Sequence, residues 1–111
     1  MRIDRSVPQY ARPNDSDALE QAIAVLGNRV KTAILPRLRL IPNSTTTAIV
    51  EATGIQRSSI TSRLSELEQE DLIIADPPRS TRQRGEWTVY RVNDARVTEL
   101  YLRLGQEIAE L

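Results

Sequence analysis

The stretch GIQRSSITSRLSELEQEDLI, residues 54–73, opens on a glycine turn signal, passes through small hydroxyl side chains and two arginines, and closes as an acidic leucine helix. At about 100° per residue, Ile60, Leu64 and Leu67 fall on one face, which must be the core face. Arg57, Ser58, Thr61, Ser62 and Ser65 then lie away from that core or on its flanks. Every acid of the stretch, Glu66, Glu68, Glu70 and Asp71, is at the far end. Carboxylates there sit at the negative end of the helix dipole, so capping does not explain them. The two ends of this helix are chemically unlike, and the rest of the chain has to account for both.

Upstream, Thr45–Thr53 predicts a short helix that turns Ile49 and Val50 inward and is capped by Asn43 or Ser44. Before it, residues 29–40 predict a helix with Val30, Ala33, Ile34 and Leu38 apolar, which Pro36 should kink or end early. Gly27 and Asn28 separate this from a first helix capped by Asp17, with Leu19, Ala22, Ile23 and Leu26 on one face. Residues 1–16 hold two prolines and three arginines without periodicity and read as a flexible arm, leaving 17–111 as the folded domain. Downstream, Leu72–Ala75 reads as a short strand, and Trp87–Val92 as a second one built on Trp87, Val89, Tyr90 and Val92. The loop between them, DPPRSTRQRGE (76–86), is too long for a two-residue turn. Asn93 or Asp94 caps a last helix, where Val97, Leu100, Tyr101, Leu104, Ile108 and Leu111 form a seam near heptad spacing.

Composition removes several classes of function. A chain of 111 residues is one domain by length. It has neither cysteine nor histidine, which excludes disulfides, zinc-finger ligands, thiol nucleophiles and the commonest general base together. No constellation of acid, base and nucleophile can be assembled, so an enzyme is not expected, nor is a cofactor. No apolar run approaches the ~18 residues of a membrane span, and the first residues lack the apolar core of a signal peptide, so a soluble cytoplasmic protein is expected. The 15 basic and 15 acidic residues cancel, yet they are segregated. Residues 29–39 carry four bases and no acid, residues 79–84 carry three more, and the acids are densest from Glu66 to Asp76. A neutral chain can therefore present a positive face.

Three helices, a turn, a fourth helix, a hairpin and a last helix make a mainly α fold with a small β-hairpin, the order of a winged helix-turn-helix. LGNRVKTAIL (26–35), TTTAIVEATGIQRSSITSRLSELEQEDLI (45–73) and YRV (90–92) resemble the ArsR-like branch of winged-helix transcription regulators, with MarR-like proteins close behind. The resemblance covers roughly Leu19–Leu111 and implies a sequence-specific double-stranded-DNA-binding regulator. It implies that the helix over 56–70 enters the major groove and that the wing, 76–86, meets phosphates or the minor groove. The positions it matches to DNA are Gln56, Arg57, Ser58, Thr61, Ser62 and Arg63, with Arg57 placed for a bidentate guanine contact, and on the wing Arg79, Arg82 and Arg84. Residues 56–65 also satisfy the physical demands of groove entry: short side chains, donors at the base edges and no acid beside phosphate. One departure is instructive. Metal-sensing members use cysteines near the recognition region or histidine and carboxylate ligands on the last helix, and this chain lacks both residue types, so no soft-metal effector is expected. Asp94, Glu99, Glu107 and Glu110 are read as surface charge rather than a hard-cation site.

The seam on the last helix, joined by the first, is more apolar than one helix beside a small wing requires. Leu19, Ile23, Leu26, Leu100, Tyr101, Leu104 and Ile108 are therefore expected to form a homodimer interface. Arg2, Arg5 and Arg12 would serve as a minor-groove arm if they touch DNA at all. The combined reading is a homodimeric repressor on a pseudo-palindromic operator. Its rivals are an architectural DNA-binding factor of a mobile element and a winged-helix protein-interaction module.

Overall fold

The reversals of the chain are set by a few local devices. Asn28 caps the second helix with its Oδ1, which accepts from the backbone N–H groups of Val30 and Lys31 at 3.0 Å each. Thr45 caps the third through its hydroxyl, which accepts from Ala48 N–H at 3.1 Å. Gly54 ends that helix at φ +69°, a left-handed conformation that disfavours any residue with a Cβ. At the end of the fourth helix Leu72 N–H bonds to Leu67 C=O at 3.0 Å and Asp71 N–H to Glu68 C=O at 3.1 Å, a Schellman pair that turns the chain directly into a strand.

In this computed structural model residues 13–83 and 87–109 are described. They form α1 (Pro13–Leu26), α2 (Arg29–Leu40), β1 (Ser44–Thr45), α3 (Thr46–Thr53), α4 (Arg57–Gln69), β2 (Ile73–Asp76), β3 (Val89–Val92) and α5 (Asp94–Ala109). The sheet is antiparallel in the order β1-β3-β2, with Tyr90 facing Ser44 on one side and Ala75 on the other. One core joins the layers. Ile34 and Leu38 of α2, Ile49 of α3 and Ile60, Leu64 and Leu67 of α4 are fully enclosed, and Ile73, Ala75 and Tyr90 close it from the sheet. The architecture is a winged helix-turn-helix, as the element order predicts, with α3 and α4 as the helix-turn-helix and β2–β3 as the wing. No described helix is long and apolar enough to cross a membrane.

Four expectations change. The first helix starts at Pro13 rather than after Asp17, so residues 13–16 belong to α1 and not to an arm. Proline at the first helical position loses no hydrogen bond, because that N–H has no partner within a helix. Pro36 does not end α2, which continues to Leu40; it is exposed, where no core side chain has to accommodate the ring. Asn43 and Ser44 do not cap α3. Ser44 is buried instead, donates its hydroxyl to Ile41 C=O at 2.6 Å and pairs with Tyr90 as part of β1. The second strand is shorter than expected, Val89–Val92, and Trp87 stands before it, exposed. The arm arginines Arg2, Arg5 and Arg12 lie outside the described residues.

Candidate nucleic-acid interface

The start of α4 is built to leave its positive end open. Gln56, at the cap position, makes no side-chain capping bond, and the first turn contains no acid. Arg57 occupies the first helical position, and a cation there opposes the helix dipole. Its guanidinium Nη2 donates to Thr47 Oγ1 of α3 at 2.8 Å, which ties the two helices of the helix-turn-helix together at their outer surface. Gln56, Arg57, Ser58, Thr61 and Ser62 are all exposed, opposite the enclosed Ile60, Leu64 and Leu67. Arg63 differs from this group: it is half-buried, and its guanidinium is paired with Glu66 one turn along.

The acidic end of α4 serves the interior of the protein. Lys31 lies in the apolar stripe of α2 with Ile34 and Leu38, and its side chain is only 4% exposed. Its Nζ reaches Glu66 Oε1 at 3.1 Å and both oxygens of Glu70 at 3.1 and 3.2 Å, so two carboxylates of α4 neutralise one buried ammonium. Sequence reading missed this. The signal was a lysine at i with isoleucine and leucine at i+3 and i+7, opposite glutamates spaced i, i+4. Glu66 and Glu70 keep partial access to water, 40% and 26%, so removing the lysine strands them only in part. Lys31→Ala is expected to lower stability by about 1–2 kcal/mol, less than a fully buried pair would cost, and denaturant unfolding of the two proteins measures it.

The wing is attached to the same helix. Glu68, 15% exposed, accepts from Arg82 Nη2 at 3.2 and 3.3 Å and from the backbone N–H of Arg79 at 3.3 Å. Arg82, 22% exposed, also donates to Pro77 C=O through Nε at 3.3 Å and Nη2 at 3.2 Å. Arg79 Nη2 donates to Ser65 Oγ. A 3-10 turn over Arg79–Thr81 compacts this arm of the wing. Between the wing and the start of α3 runs an open groove lined by Thr45, Thr46, Thr47, Arg82, Trp87, Thr88 and Tyr90. Of the three wing arginines expected at DNA, Arg79 is exposed, Arg82 is engaged within the protein, and Arg84 lies outside the described residues.

Helices α1 and α5 together expose a strip of apolar side chains. Helices α1 and α5 pack together, with Ala22 and Val25 meeting Leu100 in the core and Val97 and Leu104 half-buried against it. Arg96 Nη2 donates to Gln21 Oε1 at 2.9 Å across this contact. Half of the expected seam is thus spent inside one chain. Of that seam Ile23, Leu26 and Tyr101 remain outside, joined by Leu102, which the sequence reading did not include; each is more than half exposed, beside an apolar groove lined by Leu26, Leu35, Tyr101 and Leu104. Leu19 is half-buried, and the side chain of Ile108 lies outside the described residues. Asp94 pairs with Arg39 at 3.0 Å and Glu99 with Arg96 at 3.1 Å, and the described residues contain no group of three potential metal ligands.

In sequence the chain matches no family model and no curated protein. In structure it is similar to winged helix-turn-helix proteins. A homodimeric winged helix-turn-helix DNA-binding domain from Mycobacterium bovis, described as a possible ArsR-family transcriptional regulator, superposes with a TM-score of 0.60 at 23% identity over 93% of this chain and 89% of that one. NolR from Sinorhizobium fredii gives 0.57 at 19% over 91% and 96%. A predicted DNA-binding transcriptional regulator from E. coli gives 0.59 at 15% over 81% and 90%. At these identities the likeness establishes the shared winged helix-turn-helix fold.

Proposed function

We propose that the chain is a homodimeric, sequence-specific double-stranded-DNA-binding transcription regulator that represses by occupying a pseudo-palindromic operator. The observation that carries this reading is the division of labour along α4. Its carboxylates are consumed by Lys31, Arg63, Arg79 and Arg82, while Gln56, Arg57, Ser58, Thr61 and Ser62 stand exposed around an uncapped, positive helix start. A surface with donors and no free acid suits base edges and phosphate; an ordinary solvated helix has no reason to commit its acids to partners on other elements. Two of the solved structures of like fold are described as DNA-binding regulators or their domains, one of them as a homodimer, which supports the same assignment. The exposed strip of Ile23, Leu26, Tyr101 and Leu102 supplies the dimer contact.

Selection of bound duplexes from random DNA, followed by affinity against salt on the selected and scrambled sequences, tests the function. A specific site whose affinity falls with salt is expected. Absence of salt-dependent duplex binding would replace this reading with a protein-interaction module. Soft metals should not act as effectors, because the chain has no thiolate or imidazole. Zinc, cadmium or arsenite, titrated to stoichiometry at constant ionic strength, is expected to leave operator affinity unchanged. A specific loss at one equivalent would contradict it.

A further inference from the structure

Arginines on a wing are ordinarily read as phosphate contacts, and that is the role the sequence assigns to Arg82. The geometry around it is different. Its Nε and Nη2 are committed to Pro77 C=O and to both oxygens of Glu68, and both side chains are largely removed from water, at 22% and 15% exposure. Glu68 does a second job in the same place, accepting from the Arg79 backbone N–H. A backbone N–H at the base of the wing cannot be released to phosphate without moving the wing itself. Three donors from residues 79–82 therefore converge on one carboxylate and one carbonyl, and Arg79 reaches Ser65 one turn before Glu68 on α4. Glu68 lies in the last turn of α4, where the base of the wing passes over the helix, so its carboxylate is placed for the wing rather than for the helix start.

We propose that Glu68 is a positioning residue for the wing: by holding the Arg82 guanidinium and the Arg79 N–H it fixes the wing relative to α4 in the orientation used on DNA, and Arg82 acts inside the protein rather than on phosphate. The proposal rests on the DNA-binding reading for its consequence but not for its geometry. The wing carries its own reporter, since Trp87 is the single tryptophan of the chain and is exposed on the returning arm.

The experiment uses the full chain with Glu68→Ala, Glu68→Gln, Arg82→Ala and the double replacement Glu68→Ala/Arg82→Ala, each checked for a retained cooperative unfolding transition. Without DNA, time-resolved anisotropy of Trp87 is expected to show more segmental motion in both alanine variants, while Glu68→Gln, which keeps an acceptor for both donors, lies nearer to wild type. With the selected duplex, Glu68→Ala is expected to bind roughly threefold to tenfold more weakly, and the double variant no worse than the worse single one, as coupled residues behave. Arg82→Ala should lose affinity without the drop of about one in salt slope that a lost phosphate contact produces. Tighter DNA binding by Glu68→Ala would overturn the proposal, since the acid would then only repel phosphate or restrain the arginine. Unchanged Trp87 motion in both alanine variants would overturn it equally. If the wild-type chain bound no duplex, the proposed function would fall, and the anisotropy would still decide whether Glu68 holds the wing.

Discussion

Ile23→Glu combined with Tyr101→Glu is expected to give a folded monomer whose affinity for the full operator is lower by roughly 10²–10⁴-fold, the advantage that linking two half-site contacts confers. Both side chains lie outside the core, at 55% and 71% exposure, so the replacements leave the enclosed residues untouched and cost no more stability than the lost subunit contact itself supplies. Neither Leu104 nor Leu100 offers so clean a test. Leu104 packs against the core and Leu100 belongs to it, and a glutamate at either position would unfold α5 from α1 while also removing any dimer contact. Stable dimers of this size bury on the order of 1,600 Å² in total, and the four exposed apolar residues with the groove beside them are expected to form the centre of such a contact. Sedimentation of wild type and variant, paired with binding to one-half-site and two-half-site duplexes, reads the effect. The variant should lose its preference for two half-sites while keeping its weak affinity for one. A wild-type protein that sediments as a monomer at micromolar concentration would remove this interface, and with it the twofold operator.

The split of that seam shows where sequence patterning stops being informative. A 3.6-residue period identifies a stripe as apolar, but it does not say which edge of the stripe meets its own chain. In α5 the Val97–Leu100–Leu104 edge turned inward and Tyr101 and Leu102 outward, because α1 offers Ala22 and Val25 rather than Ile23 and Leu26 to the core. By contrast, α4 could be read almost to the residue. Its neighbours enclose it from α2, α3 and the sheet, so a single face, Ile60–Leu64–Leu67, carries the whole pattern. The start of α2 was also legible, since Asn28 is a strong capping residue at the point where the period begins. β1 was not. Two residues have no period, and Ser44 is in a strand only because Tyr90, far along the chain, pairs with it. The candidate site divides in the same way. The exposed hydroxyls and Arg57 follow from helical geometry, whereas the partners of Glu66, Glu68 and Glu70 are set by packing between distant elements. Arg82 therefore looked like a free cation in the sequence and is a half-buried link in the fold.

Arg57→Ala is expected to cost about 1–3 kcal/mol of affinity for the preferred site, roughly five- to 150-fold, and much less on scrambled duplex. A cation at the first position of a helix, with no acid in the first turn, opposes the dipole by a few tenths of a kcal/mol, and the bond to Thr47 joins two exposed side chains, which contribute little. Nothing in the fold therefore requires an arginine at 57, and the variant should melt at or slightly above the wild-type temperature. A residue that is neutral for folding and costly to remove for binding is placed there for the ligand. The N-terminal residues of a groove-entering helix are the ones that reach base edges, and the Thr47 bond holds the guanidinium beside that helix start instead of letting it sweep through solvent. Thr47→Ala should consequently weaken specific binding by a smaller factor, through looser orientation alone. Arg57→Lys should not restore specificity, because an ammonium lacks the planar fork that meets two guanine acceptors at once. Specificity should relax at one position in each half-site, the half-sites lying about one helical turn apart, ~34 Å, as two related helices in successive major grooves require. Affinity against salt for wild type, Arg57→Ala, Arg57→Lys and Thr47→Ala, on selected and scrambled duplexes, separates the outcomes. A uniform loss on both duplexes, with a salt slope lower by about one, would make Arg57 a phosphate contact and move base reading to Ser58, Thr61 and Ser62, further along the exposed face of α4.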